Sequence, residues 1–257
     1  MALRIDAASE HAHRAMPWTG GSFTIAFWMY RLAGATTARF LLGMLDTDDA
    51  SPESGDPRVT ITSVSGSLLA ATYFGNAGST ADTSTLTYST SGWTHVTAVF
   101  NGSGSTLTSV EIFINGTGTG SPGSASRDMS INGVMDRLQL GSNTTSHSNC
   151  DYAHFAFYSA ALSGSQITEL QTKLPSAITG ATPTVYESLI GSEGGFTLAS
   201  GAAINSTNDA SLPALSGGGG GGATAVTLTG PSSGTVGVAS GSFTVGANGA
   251  ITGTVFY

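Results

Sequence analysis

Charged residues are scarce in this chain. They make up 9% of its 257 residues, against about 25% in an ordinary soluble domain. The 8 basic and 16 acidic residues give a formal net charge of −8, and Lys173 is the one lysine. A basic stripe that could neutralise phosphates is therefore missing, which excludes nucleic acid as an expected partner.

Cysteines and long apolar runs are also nearly absent. Cys150 stands alone, which excludes an internal disulfide framework. Since no apolar run approaches the roughly 20 residues of a membrane helix, membrane insertion is not expected. The first residues lack the apolar core of a signal peptide, so either a leader was removed or the protein does not use one. The lack of disulfides fits folding in a reducing cytoplasm before service outside it.

Small residues are what the chain has in abundance. It contains 36 Gly, 35 Ser and 35 Thr, which together are 106 of 257 residues, or 41%. These residues are poor helix formers, which argues against a helical protein. Hydrophobic residues make up 40%, too many for a disordered chain. The composition therefore predicts an all-β protein with many turns.

Apolar residues alternate in several segments with the period of two that marks β-strands. In residues 22–30 this alternation places Phe23, Ile25, Phe27 and Met29 on one face. Strands are predicted for residues 3–6, 22–30, 39–44, 59–64, 67–74, 93–100, 110–115, 137–141 and 152–158. They predict a two-sheet antiparallel sandwich with one short terminal helix.

Residues 163–174 are predicted to form that helix. Ser163 and Gln166 have the spacing of a capping box, and Pro175 is expected to end the helix.

The composition changes after Pro175, because residues 175–257 contain no Lys or Arg. An uninterrupted run of glycines, the sequence of a flexible joint, divides this part. The predicted domains are a β-sandwich at 1–174, an extended linker or arm at 175–216, the oligoglycine joint at 217–222 and a β-rich segment at 223–257. The last segment, with strands predicted at 225–228, 235–238, 242–245 and 250–256, is far shorter than the roughly 100 residues of an immunoglobulin-like sandwich.

Six motifs in order resemble the laminin G-like, concanavalin A-like jelly rolls. They are ALRID at 2–6, FTIAFW at 23–28, GWTHVTAVF at 92–100, VEIFING at 110–116, LQLG at 138–141 and FAFYSAALS at 155–163. The resemblance covers about residues 1–174 and implies a jelly-roll fold. Members of this family often carry an acid in the last strand that holds Ca²⁺ or packs against the first strand. Here Ala153 and His154 stand where an Asp-Glu pair is common, and Asp151 lies two residues earlier.

The C-terminal segment is similar to immunoglobulin-like modules of bacterial surface proteins and phage structural proteins. A jelly roll joined by glycines to such a segment resembles a virion accessory protein, either a head decoration, a head fibre or a tail fibre component. That resemblance implies a virion-surface location, with capsid or tail proteins and other copies of the chain as partners. The alternative is a carbohydrate-binding adhesin module on the surface of a bacterium, or secreted by it.

Candidate site residues are few. A glycan needs an aromatic platform with polar neighbours, and the candidates are Trp18, Tyr73, Asn76 and Asn143. Asp46, Asp48 and Asp49 lie in an acidic stretch that could bind Ca²⁺, although a solvated loop explains the same stretch. No other cofactor is expected.

Glycosidases of this fold use two or three acids that alternate on one strand, whereas Glu111 is the only acid on its predicted strand. We therefore do not expect an enzyme.

Overall fold

The computed structural model describes most of the chain. Contacts divide it into two compact units, Met1–Ser216 and Gly217–Tyr257. The described residues are 1–7, 10–32, 39–45, 58–65, 67–74, 82–89, 91–120, 122–130, 135–142 and 147–217, with the short pairs 244–245 and 251–252.

The first unit consists mainly of β-strands. Its strands are β1 (Leu3–Ile5), β2 (His11–Ala15), β3 (Phe23–Arg31), β4 (Arg39–Leu45), β5 (Arg58–Ser65), β6 (Leu68–Phe74), β7 (Asp82–Thr87), β8 (Trp93–Ser103), β9 (Thr106–Ile114), β10 (Thr117–Gly118), β11 (Arg127–Asp128), β12 (Arg137–Leu140), β13 (Cys150–Tyr158), β14 (Val185–Glu187), β15 (Thr197–Ala199) and β16 (Ala203–Ile204). Helix α1 spans Gly164–Glu169, and two 3₁₀ helices span Pro175–Ala177 and Asn208–Ser211. Each of the nine strands predicted for residues 3–158 is present, with bounds that differ by four residues at most.

These strands form two antiparallel sheets. In the described residues the first sheet has the order β10-β9-β8-β3-β13-β1-β16, with β11 beside β9 and β14 beside β13. The second sheet has the order β15-β2-β12-β4-β5-β6-β7. The predicted all-β sandwich with one short helix is therefore confirmed.

The main core lies between the two sheets. The predicted inner face of β3 contributes Phe23, Ile25, Phe27 and Met29 to it, all fully buried. These large apolar side chains fill the space between the two stacked sheets.

The outer face of the first sheet is also buried. Ala26 on β3 packs against Ile167 of α1 and against Ile178. Trp28, two residues further along β3, packs near Leu212 and Leu215. Because both faces of β3 and β13 are covered, β13 is buried along its whole length.

Residues 175–216 belong to the sandwich, which corrects the prediction of an extended arm. Strand β14 pairs with β13, β15 with β2, and β16 with β1. Val185, Leu189 and Phe196 contribute to the main core. The first compact unit therefore ends at Ser216 and not near Leu174.

Helix α1 is shorter than predicted. The capping box is present, since Gln166 N–H bonds to the Ser163 hydroxyl and the Gln166 side chain accepts from Ser163 N–H. The helix ends at Glu169, and Pro175 begins a 3₁₀ helix instead of ending α1.

The second unit is described only in part. Its described residues form an antiparallel pair, β17 (Thr244–Val245) and β18 (Ile251–Thr252). They fall within two of the four predicted strands, while the other two lie outside the described residues. In the described part of the chain, no helix combines the length and apolarity needed to span a bilayer.

Candidate functional site

One end of the sandwich contains Trp18, the predicted site residue that is described and partly exposed. We call it the loop edge and define it by residues 16–22, which join β2 to β3, and by the strand ends at Leu45, Arg58 and Phe74. Arg137 at the start of β12 pairs with Ala15 on one side and with Leu45 on the other, so these strands end together.

Trp18 is half-buried at the loop edge. Its ring lies 5.8 Å from the ring of Phe23, and its indole N–H donates to the Gly21 carbonyl at 3.0 Å. Gly21 N–H in turn donates to the Gly104 carbonyl at 2.6 Å, which ties this loop to the turn between β8 and β9. The indole is thus anchored by a ring contact and a hydrogen bond while it stays partly exposed.

Arg58 and Phe74 lie on neighbouring strands at this end of the second sheet, where β12 and β4 separate them from β2. The two residues pair across β5 and β6, and the Arg58 guanidinium lies 4.3 Å from the centre of the Phe74 ring. This cation–π contact fixes a second half-buried aromatic side chain at the same edge.

Tyr73 is not a ligand-binding residue, contrary to the sequence prediction. It is fully buried, its hydroxyl donates to the Ala125 carbonyl, and its ring meets that of Phe100 edge-on at 6.4 Å. Side chains alternate along a strand, so Tyr73 points into the core and Phe74 points outward. The alternation through Leu69 and Ala71, both in the core, is the signal that could have identified Phe74.

Four further predicted residues lie outside the described residues. Asp46, Asp48 and Asp49 belong to the segment between β4 and β5, and Asn76 to the segment between β6 and β7. Both segments start from strand ends at the loop edge, so a Ca²⁺ site and an amide contribution there stay predictions. Within the described part of the chain, no three His, Cys, Asp or Glu residues are grouped as a metal would require.

Asn143 also lies outside the described residues, and its neighbours are at the other end of the sandwich. Ser142 and His147 form an isolated bridge just after Leu140, the end of β12 opposite to Arg137. The topology therefore does not bring these neighbours to the loop edge.

Asp151 is the buried acid of the last strand. Its carboxylate accepts two hydrogen bonds from Arg4 on β1 at 2.8 and 3.0 Å. It also accepts from the Ser206 hydroxyl at 2.5 Å and from the Asn208 side chain at 2.7 Å. The hydrogen bond of Arg4 with Asp151, together with the charge of that carboxylate, raises the pKa of Arg4 above its usual value. Because both oxygens are occupied, the residues do not fit Ca²⁺, and Asp151 instead packs against the first strand.

Glu111 lies on β9 and has a backbone partner. Among the described residues it is the only acid on β9, and its carboxylate accepts from Gly120 N–H at 3.0 Å.

The chain belongs to the concanavalin A-like lectin/glucanases superfamily, whose model matches residues 6–168. No curated protein sequence matches the chain.

Several solved structures are similar to this chain at low identity. A heptameric SAP-like pentraxin from Limulus polyphemus is 10% identical, with a TM-score of 0.45 over 76% of this chain and 93% of that one. Domain 4 of the GH43 arabinanase AbnA from Geobacillus stearothermophilus, solved with arabinotriose, is 17% identical, with a TM-score of 0.42 over 60% of this chain and 68% of that one. A botulinum neurotoxin type C structure, from work on its interaction with two ganglioside molecules, is 17% identical with a TM-score of 0.41, over 59% of this chain and 35% of that one. The chain thus spans about a third of that toxin's length.

Proposed function

We propose that the protein is a non-enzymatic surface module of a virion, a head decoration, head fibre or tail fibre component. The unit Met1–Ser216 is the displayed part, and residues 217–257 attach it to capsid or tail proteins or to other copies of the chain. The observation that carries this proposal is the position of the unit boundary, which falls at the start of the glycine run. A run of glycines is the sequence typical of a joint, and a tether between a particle and a displayed domain needs such a joint.

The two units differ in how well they satisfy their own strands. In the first unit β14, β15 and β16 pair with strands of both sheets, and exposed strand edges that invite aggregation are thereby reduced. The described strands of the second unit form one pair, and a pair of strands gains stability when further strands join it. Pairing with a partner would complete it, as in strand addition.

The expected location follows from this role. Cys150 is buried and is the one cysteine of the sequence, so folding in the host cytoplasm requires no disulfide formation. The proposed final location is the virion surface, and the alternative is a bacterial cell surface or the medium.

The test compares a chain that ends at Ser216 with the full chain by light scattering. We expect a monomer for the shorter chain, and for the full chain either a larger assembly or binding to purified capsid or tail protein. Equal monomeric masses, with no particle binding by the full chain, would contradict the proposal.

A second candidate function is carbohydrate binding by an adhesin module at the loop edge. The half-buried Trp18 supports it, together with membership in a superfamily named for lectins and glucanases. Both functions are compatible, since a virion-surface lectin would have both.

A glycan array with and without Ca²⁺ tests whether the protein binds carbohydrate in addition to its proposed structural role. We expect Trp18→Ala to reduce glycan binding at least tenfold. Trp93→Ala is the matched control, because Trp93 is also half-buried and donates its indole N–H to a backbone carbonyl, that of Asn208, at 2.8 Å. Equal losses of glycan binding in both variants would contradict a site at Trp18. Because the proposed module is not an enzyme, the bound glycan should not be hydrolysed.

A further inference from the structure

One border of the second sheet consists of a long strand with an open side. Strand β7 is the last strand of that sheet, and among the described residues β6 is the strand that pairs with it. We call the side of β7 that faces away from β6 the β7 edge. Strand β7 has six residues, whereas the described strands at the other borders, β10, β11, β15 and β16, have two or three each.

The hydrogen-bond pattern shows which backbone groups lie on the β7 edge. Tyr88 N–H donates to the Ser67 carbonyl at 2.7 Å, and residues that bond to the neighbouring strand alternate along an antiparallel pair. The even-numbered residues of β7 therefore bond to β6, while the N–H and C=O groups of Thr83, Thr85 and Thr87 point away from it. No described residue supplies a backbone partner to Thr85 or Thr87, and both threonines are exposed.

The β7 edge lacks the usual protection against pairing with another chain. Soluble proteins protect such edges with short strands, lysines, prolines or bulges. Residues 83–87 read TSTLT, without charge or proline, and the pairing of β7 with β6 has no register shift. Strand β11, by contrast, is short and consists of Arg127 and Asp128. Within the described ranges, β7 is therefore the border strand that can accept a further strand along several residues.

The opposite side of β7 is fixed to the sandwich. Leu86 pairs with Leu69 and packs against the main core. The buried Ser84 hydroxyl accepts a hydrogen bond from Ile112 N–H on β9 at 3.2 Å. The strand is thus already in its extended, ordered form before a partner arrives, which lowers the entropic cost of pairing.

We propose that β7 pairs with β7 of a second copy of the chain, antiparallel and about a two-fold axis at Thr85. This register places Thr85 opposite Thr85 of the second copy and Thr83 opposite Thr87, so that three pairs exchange two hydrogen bonds each. An axis at Ser84 or Leu86 would leave only two such pairs. A second copy fits this edge because a two-fold contact needs a self-complementary surface, and no like charges oppose each other within residues 83–87.

The proposed contact is small. A single strand edge buries less surface than the roughly 1,200 Å² at which stable interfaces begin, so dilute chains that end at Ser216 remain monomers. Pairing increases where copies are concentrated, as they are when a tether holds them on one particle. The contact does not need the tether, so it can form whether or not the chain binds particles.

Disulfide trapping in the full chain tests the register. The Cα atoms of a hydrogen-bonded antiparallel pair lie about 5.5 Å apart, within the roughly 4.4–6.8 Å that a disulfide spans. Thr85→Cys should therefore cross-link to a second copy under mild oxidation. Thr87→Cys is the matched control, because Thr87 is also exposed on β7 but lies about 14 Å from Thr87 of the second copy. The buried Cys150 should not react.

The yield of cross-linked dimer distinguishes this register from random collision. We expect about ten times more dimer from Thr85→Cys than from Thr87→Cys, and none from the unaltered chain. Equal yields from the two variants, or no dimer from Thr85→Cys in concentrated solution, would overturn the proposal.

Hydrogen exchange on the unaltered full chain is a second test. The Thr85 and Thr87 amides should gain protection as the protein concentration rises, whereas the Leu86 amide, which bonds to β6, should be protected at every concentration. Thr85→Lys should remove this concentration dependence, because two lysines then face each other at the axis. Thr108→Lys, which changes an exposed threonine on β9, should retain it. Protection of Thr85 and Thr87 that is the same at all concentrations would also overturn the proposal.

Discussion

Asp151 joins three parts of the chain that are far apart in sequence. It lies on β13, receives Arg4 from β1, and receives Ser206 and Asn208 from the C-terminal part of the unit. A buried carboxylate is tolerated only when its oxygens are hydrogen-bonded, and here four bonds satisfy them. The residue therefore fixes the C-terminal residues to the sheet.

Replacing this carboxylate should be costly. In Asp151→Asn the side chain keeps its size while Arg4 loses its counter-charge in a mostly buried position, so we expect a loss of about 3 kcal/mol in unfolding free energy. Urea denaturation measures it, and the exposed Glu193→Gln serves as the control. A loss as small as that of the control would contradict the structural role of Asp151.

Gly141 is required by space as well as by backbone conformation. It has a φ of +94°, and a Cβ there would lie 2.2 Å from Ile5 Cδ1. We expect Gly141→Ala to destabilise the protein by about 2–4 kcal/mol, from strain and overpacking together. Gly120 has a φ of +65° with nothing within 4 Å of a built Cβ, so Gly120→Ala measures the backbone contribution alone. Equal midpoints in thermal unfolding would refute the packing argument.

The burial of a residue could be predicted from the sequence where it depends only on the alternation of side chains along one strand. The inner face of β3 follows from alternation alone, and so does its burial. The partners of Asp151 do not, because Ser206 and Asn208 lie 55 and 57 residues away in a segment without periodicity. Tyr73 was misassigned because its residue type favours ligand contact while its strand position favours the core.

At the level of elements, long strands were easier to predict than short ones. Strands such as β3, β8 and β13 have nine or more residues, which is enough for alternation to be recognised. Strands β14, β15 and β16 have two or three residues and are formed because the neighbouring edges of β13, β2 and β1 offer backbone partners. Their pairing is a tertiary effect that local sequence does not encode.

The start of α1 was predicted more accurately than its end. The capping box depends on two side chains three residues apart, both visible in the sequence. The early end at Glu169 is set by tertiary contacts, among them the bond of the Glu169 carboxylate to Thr179 N–H at 2.6 Å.

Ser163→Ala should therefore destabilise the protein by about 1 kcal/mol, because a helix N–H loses its acceptor. Ser165→Ala is the control, since the recorded contact of its hydroxyl is with Ser163 Oγ at 3.0 Å rather than with the backbone. Chemical denaturation of both variants should show the larger shift for Ser163→Ala. The reverse order would mean that the cap does not stabilise α1.

On the scale of the whole molecule, the jelly roll was predictable and its C-terminal limit was not. The family motifs end with the helix, and the base-free composition beyond Pro175 indicated an arm. In fact residues 175–216 supply core side chains and edge strands to the sandwich. A few apolar side chains in residues 175–216 are enough for this packing, because β13 and β2 already form the surface that they cover.

A chain that ends at Leu174 should thus fold poorly. It exposes the apolar surface that Val185, Leu189 and Phe196 cover, whereas a chain that ends at Ser216 retains every described strand of the first unit. In calorimetry, the chain that ends at Ser216 should unfold in one cooperative transition. Its midpoint temperature should equal that of the first unit within the full protein. An unchanged transition in the chain that ends at Leu174 would show that the C-terminal residues are dispensable.

Display on a virion is tested most directly by quantitative mass spectrometry of virus particles purified from cells that carry the gene. Peptides of the chain should be found in fixed proportion to capsid or tail proteins. Protease treatment of intact particles should release residues 1–216 and leave peptides of 217–257 attached. A chain found in the cells or the medium, with no peptides in the purified particles, would contradict the proposed function.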